Sequence, residues 1–364
     1  MESLAQYAKS ELRNIQEDLD IKLKEYLDTN LVPFATNFHK STDISLNAYN
    51  DIVQRGGKRL RGAFVIKGYE LIGGEKSEEI YKAAMAIEMI HAYLLVLDDF
   101  NDKSDSRRGG PTAHKIIEKF HIDNHLKGDP FHFGISSASI ASLVGQHMAN
   151  NLLLSINLPM ERVVKAVRQV NNAINITALG QIRDIYNQTI NDVTEEDVMK
   201  VHEYKTAVYT YLNPLQLGVT LAGATDEEIE KLKGYAIPAG IAFQLQDDIL
   251  GMYGDPKDTG KSNLDDLKEG KMTLLISQAL KNGSENQREE ILSILGNRDL
   301  TPEQHAKVQQ IIIDTGSLQY SKDLAHKLVN QAKEAMMNNF ADRKDNEGMK
   351  FIVGIADYMI ERDL

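Results

Sequence analysis

Two aspartate clusters carry the first chemical signal in this chain, Asp98-Asp99-Phe100-Asn101-Asp102 and Asp247-Asp248-Ile249-Leu250-Gly251. Each stands at the end of an apolar run, Leu94 to Leu97 before the first and Ile241 to Leu245 before the second, which predicts two buried helices ending in carboxylates. Burying several like charges costs several kcal/mol per ion unless a cation neutralises them. Hard oxygen donors of this kind suit magnesium, which keeps several of its waters and is commonly shared with substrate phosphates. Asp98 and Asp102, four residues apart, share one helix face with Cβ atoms roughly 5–6 Å apart, so that one ion or a pair of ions can bridge them. Asp99 lies about 100° round the helix and is expected to position ligands or waters instead. An acidic helix end facing solvent is the plain alternative, and the run Tyr93 to Leu97 argues against it.

Basic residues at glycine-marked breaks supply the complementary charge. Arg107 and Arg108 precede Gly109 in one short loop, and arginine forks hold phosphate oxygens bidentately. Arg55, Lys58, Arg59 and Arg61 surround Gly56-Gly57 at an expected helix start, where backbone N–H groups and the macrodipole also favour anions. Phe243-Gln244-Leu245-Gln246 places an aromatic and two amides on the turn before Asp247, and Gly260-Lys261 and Gly270-Lys271 offer lysines at loop or helix-start positions. Lys205-Thr206 lies inside an apolar helical stretch, where an ammonium must reach a charge or snorkel to the surface.

The elements that position these residues read as helices. Val163, Val167, Val170, Ile174, Ala178, Ile182 and Ile185 recur at steps of three and four, which predicts a core helix, and Ala325, Leu328, Val329, Ala332 and Met336 repeat the pattern. Breaks are expected at Gly73-Gly74, Ser104 to Pro111, His125 to Gly134, Gly254 to Ser262 and Gly283-Ser284. With 42% apolar residues, 8 prolines and few alternating runs, an all-α fold follows. No Pro/Ser/Gly-rich linker interrupts the chain, so residues 1–364 are expected to form a single domain. A formal charge of −12 argues against nucleic acid or an anionic membrane surface as a partner for the whole molecule. The absence of cysteine excludes disulfides and thiolate catalysis and is compatible with a reducing cytosol. Met1 to Asp28 has no uninterrupted apolar core and reads as neither signal peptide nor membrane span, so the expectation is a cytoplasmic protein without stable membrane insertion.

In order along the chain stand Gly56-Gly57-Lys58-Arg59-Leu60-Arg61, Asp98-Asp99-x-x-Asp102 with Arg107-Arg108-Gly109, Phe243-Gln244-x-Gln246-Asp247-Asp248, Gly260-Lys261 and Gly270-Lys271. This ordered set resembles the trans-isoprenyl diphosphate synthases, the polyprenyl synthetase family, over roughly residues 50 to 280, with Ile360-Glu361-Arg362 extending the likeness toward the C-terminus. The resemblance implies an all-α bundle of antiparallel helices around a deep central cavity, a homodimer, and head-to-tail condensation of isopentenyl diphosphate with an allylic diphosphate (dimethylallyl, geranyl or farnesyl). It implies three Mg2+ ions per site, with Asp98, Asp102 and Asp247 as metal ligands. Arg107, Lys205, Lys261 and Lys271 would hold the allylic diphosphate, and Gly57, Lys58, Arg61, His91 and Arg108 the isopentenyl diphosphate. Thr206 and Gln244 would direct lone pairs at an allylic cation, Phe243 would offer it a π-face, and the released diphosphate would take the final proton.

In this family bulk four or five residues before the first aspartate limits the growing product, and those positions are Leu94 and Tyr93. Tyr93, with no insertion in the first cluster, resembles geranylgeranyl-type synthases, with farnesyl diphosphate the neighbouring product. Two positions depart from the pattern. Gly251 stands where many members have a third aspartate, leaving Asp255 as the expected replacement, and Gln146 follows Gly145 where Gly-Asp is common. A class I terpene cyclase would want a second metal motif that Asn191 to Met199 fails to match, and it would leave Lys58 and Arg61 unexplained. A non-catalytic regulatory subunit would be expected to lose aspartates or arginines that this chain keeps.

Overall fold

The structure, a computed structural model, describes residues 3–255 and 262–360. Among the described residues its regular elements are helices apart from one hairpin, β1 (Ser106–Arg107) paired antiparallel with β2 (Gly110–Pro111). The chain falls into two compact units, one of Ser10–Arg168 with Leu217–Gly223, the other built from Gln169–Gln216 and the chain from Ala224 on, together with its N-terminal end.

In the first unit, α1 (Leu4–Thr36) buries Leu12, Ile15, Leu19, Leu23, Leu27 and Leu31, the three- and four-residue steps of one helix face. α2 (Lys40–Gln54) leads through Gly56 and Gly57, both at positive φ, into α3 (Leu60–Leu71). α4 (Glu78–Asn101) steadies that entry, because Glu88 Oε1 accepts from the first-turn N–H of Gly62 at 2.9 Å and Glu88 Oε2 lies 3.5 Å from the buried Arg59 guanidinium. α5 (Ala113–Asp123) and α6 (Pro130–Leu154) follow. α6 is capped by Asp129 with Pro130 in its first turn, inside the break expected over His125 to Gly134. Gly145 of α6 receives the Tyr49 ring of α2, since a Cβ there would lie 2.1 Å from the ring, and Tyr49 donates to the Met89 carbonyl at 2.7 Å. Gln146 beside it is half-buried, and nothing in the structure explains the departure at that position. Among the described residues α4 alone is long and apolar enough to cross a membrane, and 67% of its apolar window is buried.

Several of the second unit's helices start where side-chain oxygens bond backbone N–H groups. α7 (Met160–Asn187) is followed after a loop by α8 (Glu195–Val201), which runs on without a break into an eleven-residue π-helix (His202–Leu212) and α9 (Asn213–Ala222). Capping boxes open α8 (Thr194/Asp197) and α10 (Asp226–Lys231; Thr225/Glu228). After α11 (Lys233–Tyr253) come α12 (Asp265–Glu269), α13 (Leu274–Asn282), α14 (Glu285–Ile294), α15 (Pro302–Asp314), α16 (Ser317–Asn339) and α17 (Glu347–Ile360). α11 packs against the π-helix and α16. The expected stripe of α16 is present, with Ala325, Val329, Ala332 and Met336 buried.

α7 corrects the periodicity reading. Val163, Val170 and Ile174 are buried as expected, but Ile182 is 64% exposed and Ile185 40% exposed, while Ala173, Thr177, Gly180, Asp184 and Asn187 form the buried face. The cause is a close helix approach. A Cβ on Gly180 would stand 2.7 Å from the Lys205 backbone nitrogen, so the face carrying Gly180 turns toward the π-helix and takes the polar residues in with it. Gly180→Ala should therefore lower stability by about 1–3 kcal/mol, as overpacking of a tight contact does. Thermal denaturation checks this, and an unchanged midpoint would show that the contact has room to relax.

Candidate active site

The first unit gathers the first aspartate cluster and most of the basic residues. Asp99, at the end of α4, is fully buried and takes a hydrogen bond from Arg107 Nε at 2.5 Å, while Arg107 Nη2 lies 3.6 Å from Asp98 Oδ2. Asp99 therefore holds Arg107, a more specific task than the expected positioning of waters. Burial opposes the charge on Arg107, but Asp99, Asp98 and Asp102 outweigh it and raise the guanidinium's affinity for its proton. Asp98 keeps 23% of its side chain exposed and Asp102 follows one turn later, largely buried. Hard carboxylate donors one helical turn apart fit magnesium. Among the described residues no group of three or more His, Cys, Asp or Glu converges into a complete cage, so an ion on Asp98 and Asp102 would complete its shell with water or substrate oxygen.

The hairpin explains how two adjacent arginines come to serve different partners. Arg108 (φ 51) and Gly109 (φ 74) are the central residues of its turn, and positive φ at both is the requirement of a type I′ turn. Arg55 clamps the strands from α2's end, donating to the Arg107 carbonyl at 3.1 Å and the Pro111 carbonyl at 2.7 Å, and only a glycine at 110 leaves room for it. Arg108 folds back to donate to the Gly56 carbonyl, and a Cβ on Gly57 would stand 2.6 Å from its guanidinium. Gly57 is thus required both by its φ of 126° and by Arg108.

Arg61, Arg107, Arg108 and Arg59 all act on His91, whose pKa falls well below the ordinary histidine value, first through burial and then through these cations. Arg108 is itself pushed down to about 10, mainly by burial, with Glu88 opposing and the neighbouring arginines adding to the fall. Such a concentration of positive charge around a neutral histidine favours an anion. Arg59 does not belong to the accessible part of this group, because its buried side chain is taken up by Asp20 at 2.7 Å and the Val53 carbonyl at 2.7 Å. Lys58 is exposed and Arg61 half-buried. Tyr93 and Leu94 are half-buried on α4, and burial raises the Tyr93 phenol pKa.

The second unit brings together Lys205, Thr206, Gln244 and the second cluster. Lys205 reaches a charge, with Nζ 2.7 Å from Asp184 Oδ2. Thr206 donates to Gln244 Oε1 at 2.6 Å, and Gln244 Nε2 donates to Asp248 Oδ1 at 2.8 Å. Asp248 is 5% exposed, and His202 Nε2 lies 3.1 Å from its Oδ2. Burial opposes charge on Asp248, but His202, Lys271 and Gln244 together hold its pKa below the usual carboxylate value. Asp247 is half-exposed, and Phe243 lies with its ring centroid 5.8 Å from that of Tyr211. Lys271 Nζ is 3.3 Å from Asp266 Oδ1. Lys261 lies outside the described residues.

The carboxylate beside Gly251 is Asp266, not the expected Asp255. A Cβ at 251 would stand 2.6 Å from Asp266 Oδ2, whereas Asp255 is exposed. Sequence reasoning also passed over Asp184 and His202. The signal for Asp184 was its place four residues after Gly180, on the small-residue face of α7; His202 offered only its step of four before Thr206. The segment compared above with a cyclase metal motif is occupied otherwise, Thr194 and Asp197 capping α8 and Glu195 accepting from Gln278 and Tyr320.

The polyprenyl synthetase family model matches residues 42–313. The chain belongs to the polyprenyl synthetase family. It is similar to the geranylgeranyl diphosphate synthase of Saccharolobus solfataricus, 34% identical over 328 residues, which are 90% of this chain and 93% of that protein. It is also similar to a geranylfarnesyl diphosphate synthase of Aeropyrum pernix, 30% identical over 85% of this chain and 92% of the relative. The geranylgeranyl pyrophosphate synthase of Corynebacterium glutamicum, solved with isoprenyl diphosphate and magnesium, superposes with a TM-score of 0.89 at 31% identity, covering 97% of this chain and 99% of that one. As a polyprenyl synthetase the chain is a trans-prenyltransferase of isoprenoid biosynthesis, in a magnesium-dependent family that uses isopentenyl and allylic diphosphates.

His91 makes the basic cluster of this synthase testable without substrate. The unfolded chain takes up a proton near the ordinary histidine pKa of about 6.5, whereas folded His91 does so only at much lower pH, so stability falls as pH drops below about 6.5. His91→Gln should flatten the decline in melting temperature between about pH 6.5 and 5.5. His114 and His305, whose pKa values are also lowered chiefly by burial, would keep a residual slope. A wild-type slope in the variant would contradict the assignment.

Proposed function

We infer that this synthase condenses isopentenyl diphosphate head-to-tail with dimethylallyl, geranyl or farnesyl diphosphate, and that its product is geranylgeranyl diphosphate, with farnesyl diphosphate as the shorter neighbour. One observation supports the use of two diphosphates most directly. Arg107 stands between a carboxylate group that calls for cations, Asp98, Asp99 and Asp102, and an arginine group with neutral His91 that calls for an anion. The allylic diphosphate is assigned to Asp98, Asp102, Asp247, Arg107, Lys205, Lys261 and Lys271. Isopentenyl diphosphate is assigned to Gly57, Lys58, Arg61, His91 and Arg108. Asp98, Asp102 and Asp247 would hold three magnesium ions, which when bound would supply positive charge to the departing diphosphate. The protein's own part is to fix both substrates and exclude water while the allylic C–O bond breaks. Thr206 and Gln244 turn oxygen atoms toward the cation, Phe243 offers its ring face, and the released diphosphate accepts the proton lost on elimination.

The relatives named geranylgeranyl synthases support the product length, as does Tyr93, half-buried on α4 five residues before Asp98. The family match runs through both units, which supports residues 1–364 acting as one synthase domain. A homodimer is favoured by the apolar side chains α7 exposes in the second unit, Ile176, Leu179, Ile182 and Tyr186, at steps of three and four. The reading is of a cytoplasmic enzyme without stable membrane insertion, in keeping with the burial of most of α4's apolar window.

Incubation of the purified protein with magnesium, labelled isopentenyl diphosphate and each allylic starter tests the reading, and absence of label in any longer prenyl chain would overturn it. In that assay Asp98→Ala should lower turnover by about a hundredfold or more, as loss of transition-state charge stabilisation does, while its circular dichroism stays that of the wild type. Tyr93→Ala should shift the products to longer chains on chromatography. An unchanged length would remove Tyr93 as the stop.

A further inference from the structure

We propose that His202 is a positioning residue for the condensation, setting through Asp248 and Gln244 the direction in which the Thr206 hydroxyl presents its lone pairs. The proposal rests on the assignment of Thr206 to the allylic cation made above.

Four residues on two helices carry it. His202 and Thr206 are four apart on the π-helix; Gln244 and Asp248 are four apart on α11. The two helices come unusually close, since a Cβ on Gly240 would stand 2.5 Å from Ala207 Cα. The contacts run in sequence from His202 Nε2 to Asp248 Oδ2 (3.1 Å), from Gln244 Nε2 to Asp248 Oδ1 (2.8 Å), and from Thr206 Oγ1 to Gln244 Oε1 (2.6 Å). His202, Thr206 and Asp248 are 5%, 8% and 5% exposed, so water competes little for these groups.

The direction of each bond follows from the acid at the centre. An ionised Asp248 only accepts, so the Gln244 atom facing it must be the amide nitrogen. Gln244 then turns its oxygen to Thr206, and Thr206 must give its proton to that oxygen. Both lone pairs of Oγ1 are left pointing away from Gln244, available to a developing cation. With Asp248 displaced, Gln244 can turn over at small cost. Its NH2 group then faces Thr206, and the hydroxyl proton is freed to point where the lone pairs had been.

His202 opposes that displacement with its Nε2 standing 3.1 Å from the second oxygen of Asp248. Its Nε2 must carry the proton to do so, because the carboxylate cannot donate. Its Nδ1 is buried with no hydrogen-bond partner, as is Asp248 Oδ2, so the 3.1 Å approach of Nε2 to Oδ2 is a close polar contact off the line of an ideal hydrogen bond. The plain alternative is a buried pair that only adds stability, and the two accounts differ in what a variant changes. A stability pair alters the amount of folded enzyme and leaves the rate per folded molecule, with the folded fraction read by circular dichroism, unchanged. A positioning residue alters kcat at unchanged KM, because the lone-pair direction matters in the transition state and not for diphosphate binding.

The test is steady-state kinetics on the full-length protein with geranyl and isopentenyl diphosphates and magnesium. His202→Met, close in size but with no donor, should lower kcat about tenfold or more with KM for both substrates within about twofold of the wild type. His202→Gln, which restores an N–H donor, should recover kcat to within about threefold, and in a Gln244→Met background the further change His202→Met should alter kcat by less than about twofold. His202→Phe, a second side chain without a donor, should behave as His202→Met and serves should that variant fold poorly. The proposal is overturned if both non-donor variants keep wild-type kcat, if His202→Gln is as impaired as His202→Met, or if the His202 and Gln244 effects multiply. If the wild type makes no longer prenyl chain, the functional reading fails first, and these outcomes cannot be confused with that one.

Discussion

A fully buried carboxylate, Asp99, held against Arg107 at 2.5 Å, is the contact on which the first unit's chemistry depends. Removing one partner of such a pair leaves an uncompensated buried charge, at a cost of about 3–5 kcal/mol. The pair fixes more than itself. It pins the hairpin strand bearing Arg107, whose carbonyl is then clamped by Arg55, and the turn that follows sends Arg108 to the Gly56 carbonyl. Asp98 and Asp102 flank Asp99 at the end of α4, and Arg107, 3.6 Å from Asp98, also acts on His91. One charge pair therefore separates a neighbourhood that asks for cations from one that asks for an anion.

The second unit solves a related problem with close backbone contacts. Gly180 of α7 and Gly240 of α11 each press on the π-helix, at Lys205 and Ala207. A π-helix is rare and tends to mark functional sites, and here it carries Lys205 and Thr206. The lack of side chains at 180 and 240 brings Asp184 within reach of Lys205 and Gln244 within reach of Thr206. At Gly251 the same logic takes another form, with Asp266 occupying the space a side chain there would need while it approaches Lys271.

Much of this was legible in the sequence because it rests on local rules. Apolar steps of three and four marked the α16 stripe, helix-breaking residues marked the ends of α3, α4 and α13, and the carboxylates after the first apolar run marked the end of α4, whereas α11 runs on past Asp247 and Asp248 to Tyr253. For Lys205 the sequence left two outcomes, reaching a charge or snorkelling to the surface, and Asp184 realises the first. What escaped depends on approach between helices. Ile182 and Ile185 fit an apolar stripe by spacing, yet Gly180 turned the opposite face inward, and with it Asp184. His202 carried little local signal beyond its step of four before Thr206, since its partner Asp248 is 46 positions away, the difference between 248 and 202. Arg59, read as one more phosphate-facing cation, stands at the N-cap of α3 and is used by Asp20 and Glu88.

The central claim is that the carboxylates of α4 are neutralised by divalent ions shared with a diphosphate. Calorimetric titration of the wild type and of Asp98→Asn/Asp102→Asn with an unreactive allylic thiolodiphosphate, in the presence and absence of magnesium, tests it most directly. The account predicts that magnesium tightens binding of the analogue by about tenfold or more in the wild type and by much less in the double variant, the difference expected when metal and phosphate share ligands. Equal affinity with and without magnesium, or a magnesium effect that survives both substitutions, would contradict it.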